Sequence, residues 1–93
     1  MNKYVIVRTQ SAGCFAGELI TREGSEATLH NARRLWYWSG AASLSGLAAH
    51  GTSKPHDCKF PATVDVTVLG VIEVIDVTDE ARQSIEGVPV WKA

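Results

Sequence analysis

Turn signals cut the N-terminal part of this chain into runs too short for anything but a sheet of hairpins. Ser11-Ala12-Gly13, Glu23-Gly24-Ser25 and Asn31-Ala32 punctuate it at close intervals. Between them, Tyr4-Val5-Ile6-Val7 is dense in β-branched residues and reads as a strand. Cys14 to Thr21 resumes as a second strand, with Gly17 as a bulge position. Glu26 to His30 continues antiparallel. Asn31-Ala32 reads as a further tight turn, which makes Arg33 to Trp38 a fourth strand. Successive strands on short loops predict an antiparallel meander.

Gly40 to Gly51 changes character. Leu44, Leu47 and Ala48 fall at helical spacing. Ser39 or Ser43 can cap such a helix, and Gly51 fits just past its end. Thr52 to Pro61 is polar and holds two prolines, so it reads as a loop. Val64 to Val77 is β-rich and broken at Gly70. Val71 to Ile75 is apolar on both faces apart from Glu73, which predicts a central strand or one covering an interface. Thr78-Asp79-Glu80 starts a second helix, with a hydroxyl cap followed by two carboxylates at the positive end of the dipole. Gly87 ends it, and Pro89 keeps the tail extended. The predicted class is α+β: mostly antiparallel sheet, about six strands, with two short helices. All of residues 1–93 are expected in one small domain.

A domain of this size is marginal alone, and with only two cysteines it lacks a staple framework. Self-association is a natural source of further stability, so a homo-oligomer is expected. The net charge of −1 excludes broad binding to DNA or RNA, which needs a basic footprint. No apolar run is long enough to cross a membrane as a helix. The opening Met1 to Val7 reads as the start of a strand and not as a signal peptide, so the expected location is the cytoplasm. Cys14 and Cys58 are then expected as thiols.

The chemistry concentrates in Arg33-Arg34-Leu35-Trp36-Tyr37-Trp38 and the small-residue stretch after it, Ser39-Gly40-Ala41-Ala42-Ser43. Guanidinium forks suit phosphates, aromatic faces suit flat bases, and a helix start suits anions. In a strand, Arg34, Trp36 and Trp38 share one face and Arg33, Leu35 and Tyr37 the other. One face must pack on the core, so some of these rings and arginine stems serve packing. Ser39 to Ser43 lacks the spacing and the lysine of a phosphate-binding loop. Thr52, Ser53 and Lys54 offer polar contacts from the following loop.

The loop from His50 to Cys58 holds His50, His56, Asp57 and Cys58, but no paired zinc spacing, so no metal and no cofactor are expected. Glu18 and Glu73, set among apolar strand residues, read as buried structural partners of arginine or lysine. Trp91, close to the chain end, either plugs its own core or docks on a neighbouring subunit, with the second preferred. No catalytic motif occurs, and the chain reads as non-enzymatic.

Through Tyr4-Val5-Ile6-Val7-Arg8-Thr9, the Ser11-Ala12-Gly13 turn, Ala32-Arg33-Arg34-Leu35-Trp36-Tyr37-Trp38-Ser39-Gly40-Ala41 and the closing Val90-Trp91-Lys92-Ala93, the chain resembles a family of short bacteriophage proteins of unknown function. The likeness runs over essentially the whole chain. It identifies a lineage and carries no catalytic residues across. Small non-enzymatic phage oligomers include sponges, which sequester nucleotide second messengers of bacterial defence such as cyclic dinucleotides and cyclic ADP-ribose isomers. By that analogy the resemblance implies an anti-defence sponge. Arg33 or Arg34 would neutralise phosphate and Trp36, Tyr37 or Trp38 would stack on a base. Ser39, Gly40 and Ser43 would complete the phosphate site, with Thr52, Ser53 and Lys54 as a lid. One rival reading is an interaction module that binds a host protein through the same patch. Another is a small hydrolase using His50, His56 or Asp57.

Overall fold

A computed structural model describes residues 2–92. Met1, in the expected first strand, and Ala93, in the expected tail, lie outside the described residues. Five strands form: β1 (Tyr4–Thr9), β2 (Cys14–Glu23), β3 (Glu26–Arg34), β4 (Val64–Val68) and β5 (Val71–Asp76). Helix α1 (Leu44–His50) separates β3 from β4, with a 3₁₀ turn at Pro55–Asp57, and α2 (Asp79–Glu86) follows β5. The α+β class is as expected.

All pairings are antiparallel, in the order β4-β3-β2-β1-β5. The two edge strands are consecutive in the chain, joined only by Leu69 and Gly70. Three Cα–Cα steps reach at most about 11 Å. A flat sheet of this order would hold its edges about 19 Å apart. The sheet therefore rolls until its edges approach at one end. Val71 N–H donates to the Ser25 carbonyl in the β2–β3 turn at 2.8 Å, and Gln10 N–H to the Gly70 carbonyl at 2.8 Å, across that end. Gly70 turns the corner with a φ of 72°.

Rolling makes two cores. Val5, Val7, Phe15, Leu29, Val68 and Val71 fill one cluster. Tyr4 and Ile6, which alternate with Val5 and Val7, join Leu47, Phe60, Ile85 and Val88 in another beneath the helices. The caps read from the sequence form as expected: Gly46 N–H donates to Ser43 Oγ at 3.0 Å and Ala81 N–H to Thr78 Oγ1 at 3.1 Å. Thr78 also ties the helices together, since its hydroxyl donates to the Ala49 carbonyl at 2.8 Å.

Several expectations need correction. Asn31-Ala32 is a bulge and not a turn. The β3–β4 register shifts between Leu29 and Ala32, Asn31 adopts a φ of 51°, and its N–H is held by Asp65 Oδ1 at 3.1 Å. Strand β3 thus runs through to Arg34, and no fourth strand spans Arg33 to Trp38. Beyond Arg34 only a single bridge, Tyr37 to Lys59, remains. Strand β5 is an edge strand and not a central one, and Ile72 is 53% exposed on it. Glu18 and Glu73 are paired, with Arg82 at 3.7 Å and Arg8 at 2.9 Å, but both keep solvent exposure. Within the chain, Val90 bridges Phe60 and Trp91 N–H donates to the Phe60 carbonyl at 3.0 Å, while Trp91 stays partly exposed and outside the core clusters. Gly17 is not itself the bulge: between Ala16 and Glu18 the extra residue is on β3, and Gly17 faces Asn31-Ala32, where a Cβ would lie 2.8 Å from the Ala32 Cα.

Among the described residues, no helix is long and apolar enough to cross a membrane. No cluster of His, Cys, Asp and Glu among them is arranged to hold a metal.

Candidate functional site

Consecutive strand residues face opposite ways, so the pair Arg33-Arg34 is divided by the sheet. Arg33 turns inward and is 3% exposed. Its Nε donates to the Pro61 carbonyl at 3.1 Å. Nη1 donates to Ile85 O at 2.9 Å and Val88 O at 2.6 Å, and Nη2 to Phe60 O at 2.5 Å and Pro89 O at 3.5 Å. A guanidinium has five N–H groups, and all five are occupied. Burial lowers its pKa from the usual arginine value. Arg33 joins β3 to the end of α2 and to the Phe60-Pro61 segment, and has no donor left for a phosphate.

Arg34 turns outward, and the β2–β3 register, with Phe15 opposite it, sets it beside the β1–β2 turn. Nη1 donates to the Ala12 carbonyl at 2.6 Å, and the guanidinium carbon lies 4.4 Å from the centre of the Phe15 ring. That hydrogen bond is the only one Arg34's side chain makes among the described residues. The turn is held rigidly. Thr9 Oγ1 accepts from Ala12 N–H and donates to the Gly13 carbonyl, each at 2.8 Å. Gly13 sits at a φ of 97°, and a Cβ there would lie 3.4 Å from Arg34 Nη1.

Past Arg34, Leu35 N–H donates to the Cys14 carbonyl at 2.8 Å, which aligns the following segment with the same turn. The result is a cavity of about 460 Å³ lined by Ser11 to Cys14 on one side and by Arg34, Leu35, Trp36 and Trp38 on the other. Trp36 is 65% exposed, whereas Trp38 packs partly on the core beneath the helices. A cavity of this size suits a small molecule. It combines a cation with uncommitted donors, two indoles and a backbone turn. Burial pushes the Cys14 thiol up, Arg8 opposes that and Glu73 adds to it, so the net shift is upward. A thiol held protonated is a poor nucleophile.

The remaining candidates lie elsewhere. Tyr37 does not line the cavity; Lys59 Nζ sits 5.9 Å from its ring and 5.6 Å from the Trp91 ring. Ser39 and Gly40 are knotted to Thr52, Ser53 and Lys54 by hydrogen bonds. Thr52 Oγ1 donates to the Ser39 carbonyl and accepts from Lys54 N–H, and Ser53 N–H donates to the Gly40 carbonyl at 3.3 Å. Ser39 N–H points at Cys58 Sγ at 3.5 Å. This knot closes the chain over the Cys58 thiol and is no lid on the cavity. Ser43 is spent on capping α1.

Ser11 to Cys14 and Leu35 were missed as site residues. The Ser-Ala-Gly turn was visible in the sequence, but only the β2–β3 register, with Phe15 opposite Arg34, brings it to the arginine.

The chain belongs to the family described as Domain of unknown function (DUF6948), whose model matches residues 2–85. No curated protein and no solved structure matches it.

Proposed function

We propose that this member of the DUF6948 family is a non-enzymatic binding protein that sequesters a nucleotide-derived anion in the Arg34–Trp36–Trp38 cavity. The reading rests chiefly on one observation: Arg34, anchored by a single hydrogen bond to Ala12, shares a cavity with a largely exposed Trp36. Arg34 supplies charge and donors for a phosphate. Trp36 supplies a stacking face for a base. The Ser11–Gly13 turn lets ligand oxygens approach its backbone and the Ser11 hydroxyl.

The resemblance to short bacteriophage proteins supplies the biological setting. There the ligand is an immune second messenger, a cyclic dinucleotide or a cyclic ADP-ribose isomer, and its capture silences defence signalling in the host cytoplasm. A sponge acts stoichiometrically, so it needs nanomolar affinity, about 12 kcal/mol. Self-association would deepen a cavity this open and is part of the proposal.

Tryptophan fluorescence tests it, since Trp36 and Trp38 both line the cavity. Titration with cyclic dinucleotides, cyclic ADP-ribose isomers and ADP-ribose is expected to give one saturable change, with the ligand recovered intact after heat denaturation. Flat titrations throughout, together with a stoichiometric host protein captured from lysate, would transfer the patch to protein recognition. A ligand recovered hydrolysed would make the chain an enzyme.

A further inference from the structure

Another cavity, of about 410 Å³, lies on the Arg33 side of β3 and is lined by Tyr4, Asn31, Arg33, Ala62, Thr63, Glu86, Val88 and Val90. Tyr4 is 5% exposed, and its hydroxyl is fully buried without any hydrogen-bond partner. Among the described residues it is the only buried side-chain N or O atom so placed. Buried hydroxyls almost always find a partner, and leaving one unpaired is costly. The cause lies in the neighbours. Arg33, on the same wall, has every N–H committed to a carbonyl, and the Arg82 guanidinium carbon sits over the Tyr4 ring, 4.7 Å from its centre. Glu86 is drawn to Arg82 Nε at 3.3 Å.

The walls define what would fit. Burial, with Glu86 nearby, pushes the Tyr4 pKa up to about 12, so the phenol stays protonated and donates. Glu86 only accepts. The Arg33 guanidinium in the wall disfavours a cation, and the Glu86 carboxylate in the lining disfavours an anion. Ala62, Val88 and Val90 supply the apolar surface. We infer that this cavity binds a neutral planar group carrying an acceptor beside an N–H donor. The side chains over the buried hydroxyl yield on binding, the acceptor then takes the Tyr4 hydroxyl, and the donor meets Glu86. A nucleobase edge and a primary carboxamide both have that pattern. Arg33 and Arg34 face opposite ways, so this site is separate from the anion cavity and stands without it.

The test uses the ¹⁵N-labelled full chain with two uncharged probes, adenosine and nicotinamide. At least one probe is expected to give saturable shifts at Asn31, Thr63 and Glu86 amides. Adenosine alone would identify a base as the source of the edge, nicotinamide alone a carboxamide, and both the shared pattern. Tyr4→Phe, which keeps the ring, should weaken binding about tenfold. Glu86→Ala should weaken it too and serves if Tyr4→Phe fails to fold. The inference is overturned if neither probe shifts these amides at millimolar concentration, or if binding survives both substitutions unchanged.

Discussion

Arg33 and Arg34 are neighbours on β3 with opposite employment: Arg33 donates to a ring of buried backbone carbonyls, while Arg34 donates once, to Ala12, at the mouth of an open cavity. The sheet separates them because strand side chains alternate. The same residue type thus does two jobs, one holding the C-terminal segment to the sheet and one facing solvent.

That division predicts very different costs of removal. Arg33→Ala takes the guanidinium donors from the Phe60, Ile85 and Val88 carbonyls in the interior, where, among the described residues, Phe60 keeps only Trp91 N–H and Ile85 only N–H groups of its own helix end. It should cost more than about 3 kcal/mol or abolish folding. Arg33→Lys should recover only part of this, since three donors on a flexible stem cannot copy a planar fork. Arg34→Ala should cost about 1 kcal/mol, from one hydrogen bond and its stacking on Phe15. Urea unfolding of the three variants measures the difference. Equal costs for the two alanine variants would refute the division.

The knot between Gly40 and the Thr52–Lys54 loop predicts a steep penalty for one methyl group. Gly40 adopts a φ of 83°, and a Cβ there would lie 2.6 Å from both Lys54 N and Thr52 Oγ1. Gly40→Ala should therefore destabilise by more than about 1 kcal/mol. Loosening the knot also uncovers Cys58, so alkylation of that thiol should accelerate. Wild-type stability and thiol reactivity in the variant would contradict the packing described.

Tyr4 predicts a pH dependence at the alkaline end. Its pKa is raised from 10.0 to about 12 by burial, and next by Glu86. The folded state therefore holds a proton that the unfolded state releases above pH 10. The contribution is fully present below that pH and is lost as pH rises toward 12. It amounts to about 2 kcal/mol. Lysines titrate in the same window, so the comparison is with Tyr4→Phe. The variant should lack this alkaline component and should match or exceed wild type at neutral pH, where it sheds an unpaired hydroxyl. Parallel stability curves for the two proteins between pH 9 and 12 would show that Tyr4 ionises freely.

These consequences bear on how much the residues reveal before folding. The β-branched run at Tyr4 to Val7 and the caps at Ser43 and Thr78 are legible because each is a local event. Asn31-Ala32 was misread because the same dipeptide chemistry serves a tight turn and a left-handed bulge, and the choice falls to Asp65 on the neighbouring strand. The edge position of β5 follows from its pairing with β1 alone, a long-range choice. The residues around Arg34 came out as a site only in part. Trp36 and Trp38 line its cavity, but Tyr37 pairs with Lys59 instead, and Arg33 is consumed by carbonyls from residues far along the chain. No pattern within Arg33 to Trp38 states which arginine is turned inward.

Calorimetric titration of wild type and Arg34→Ala against the nucleotide that quenches tryptophan fluorescence tests the central claim most directly. Arg34 makes no buried structural network, so the variant should remain folded and bind at least a hundredfold more weakly, about 2.7 kcal/mol. Unchanged affinity in a folded Arg34→Ala protein would contradict the account, because a nucleotide bound without that guanidinium does not occupy the cavity described here.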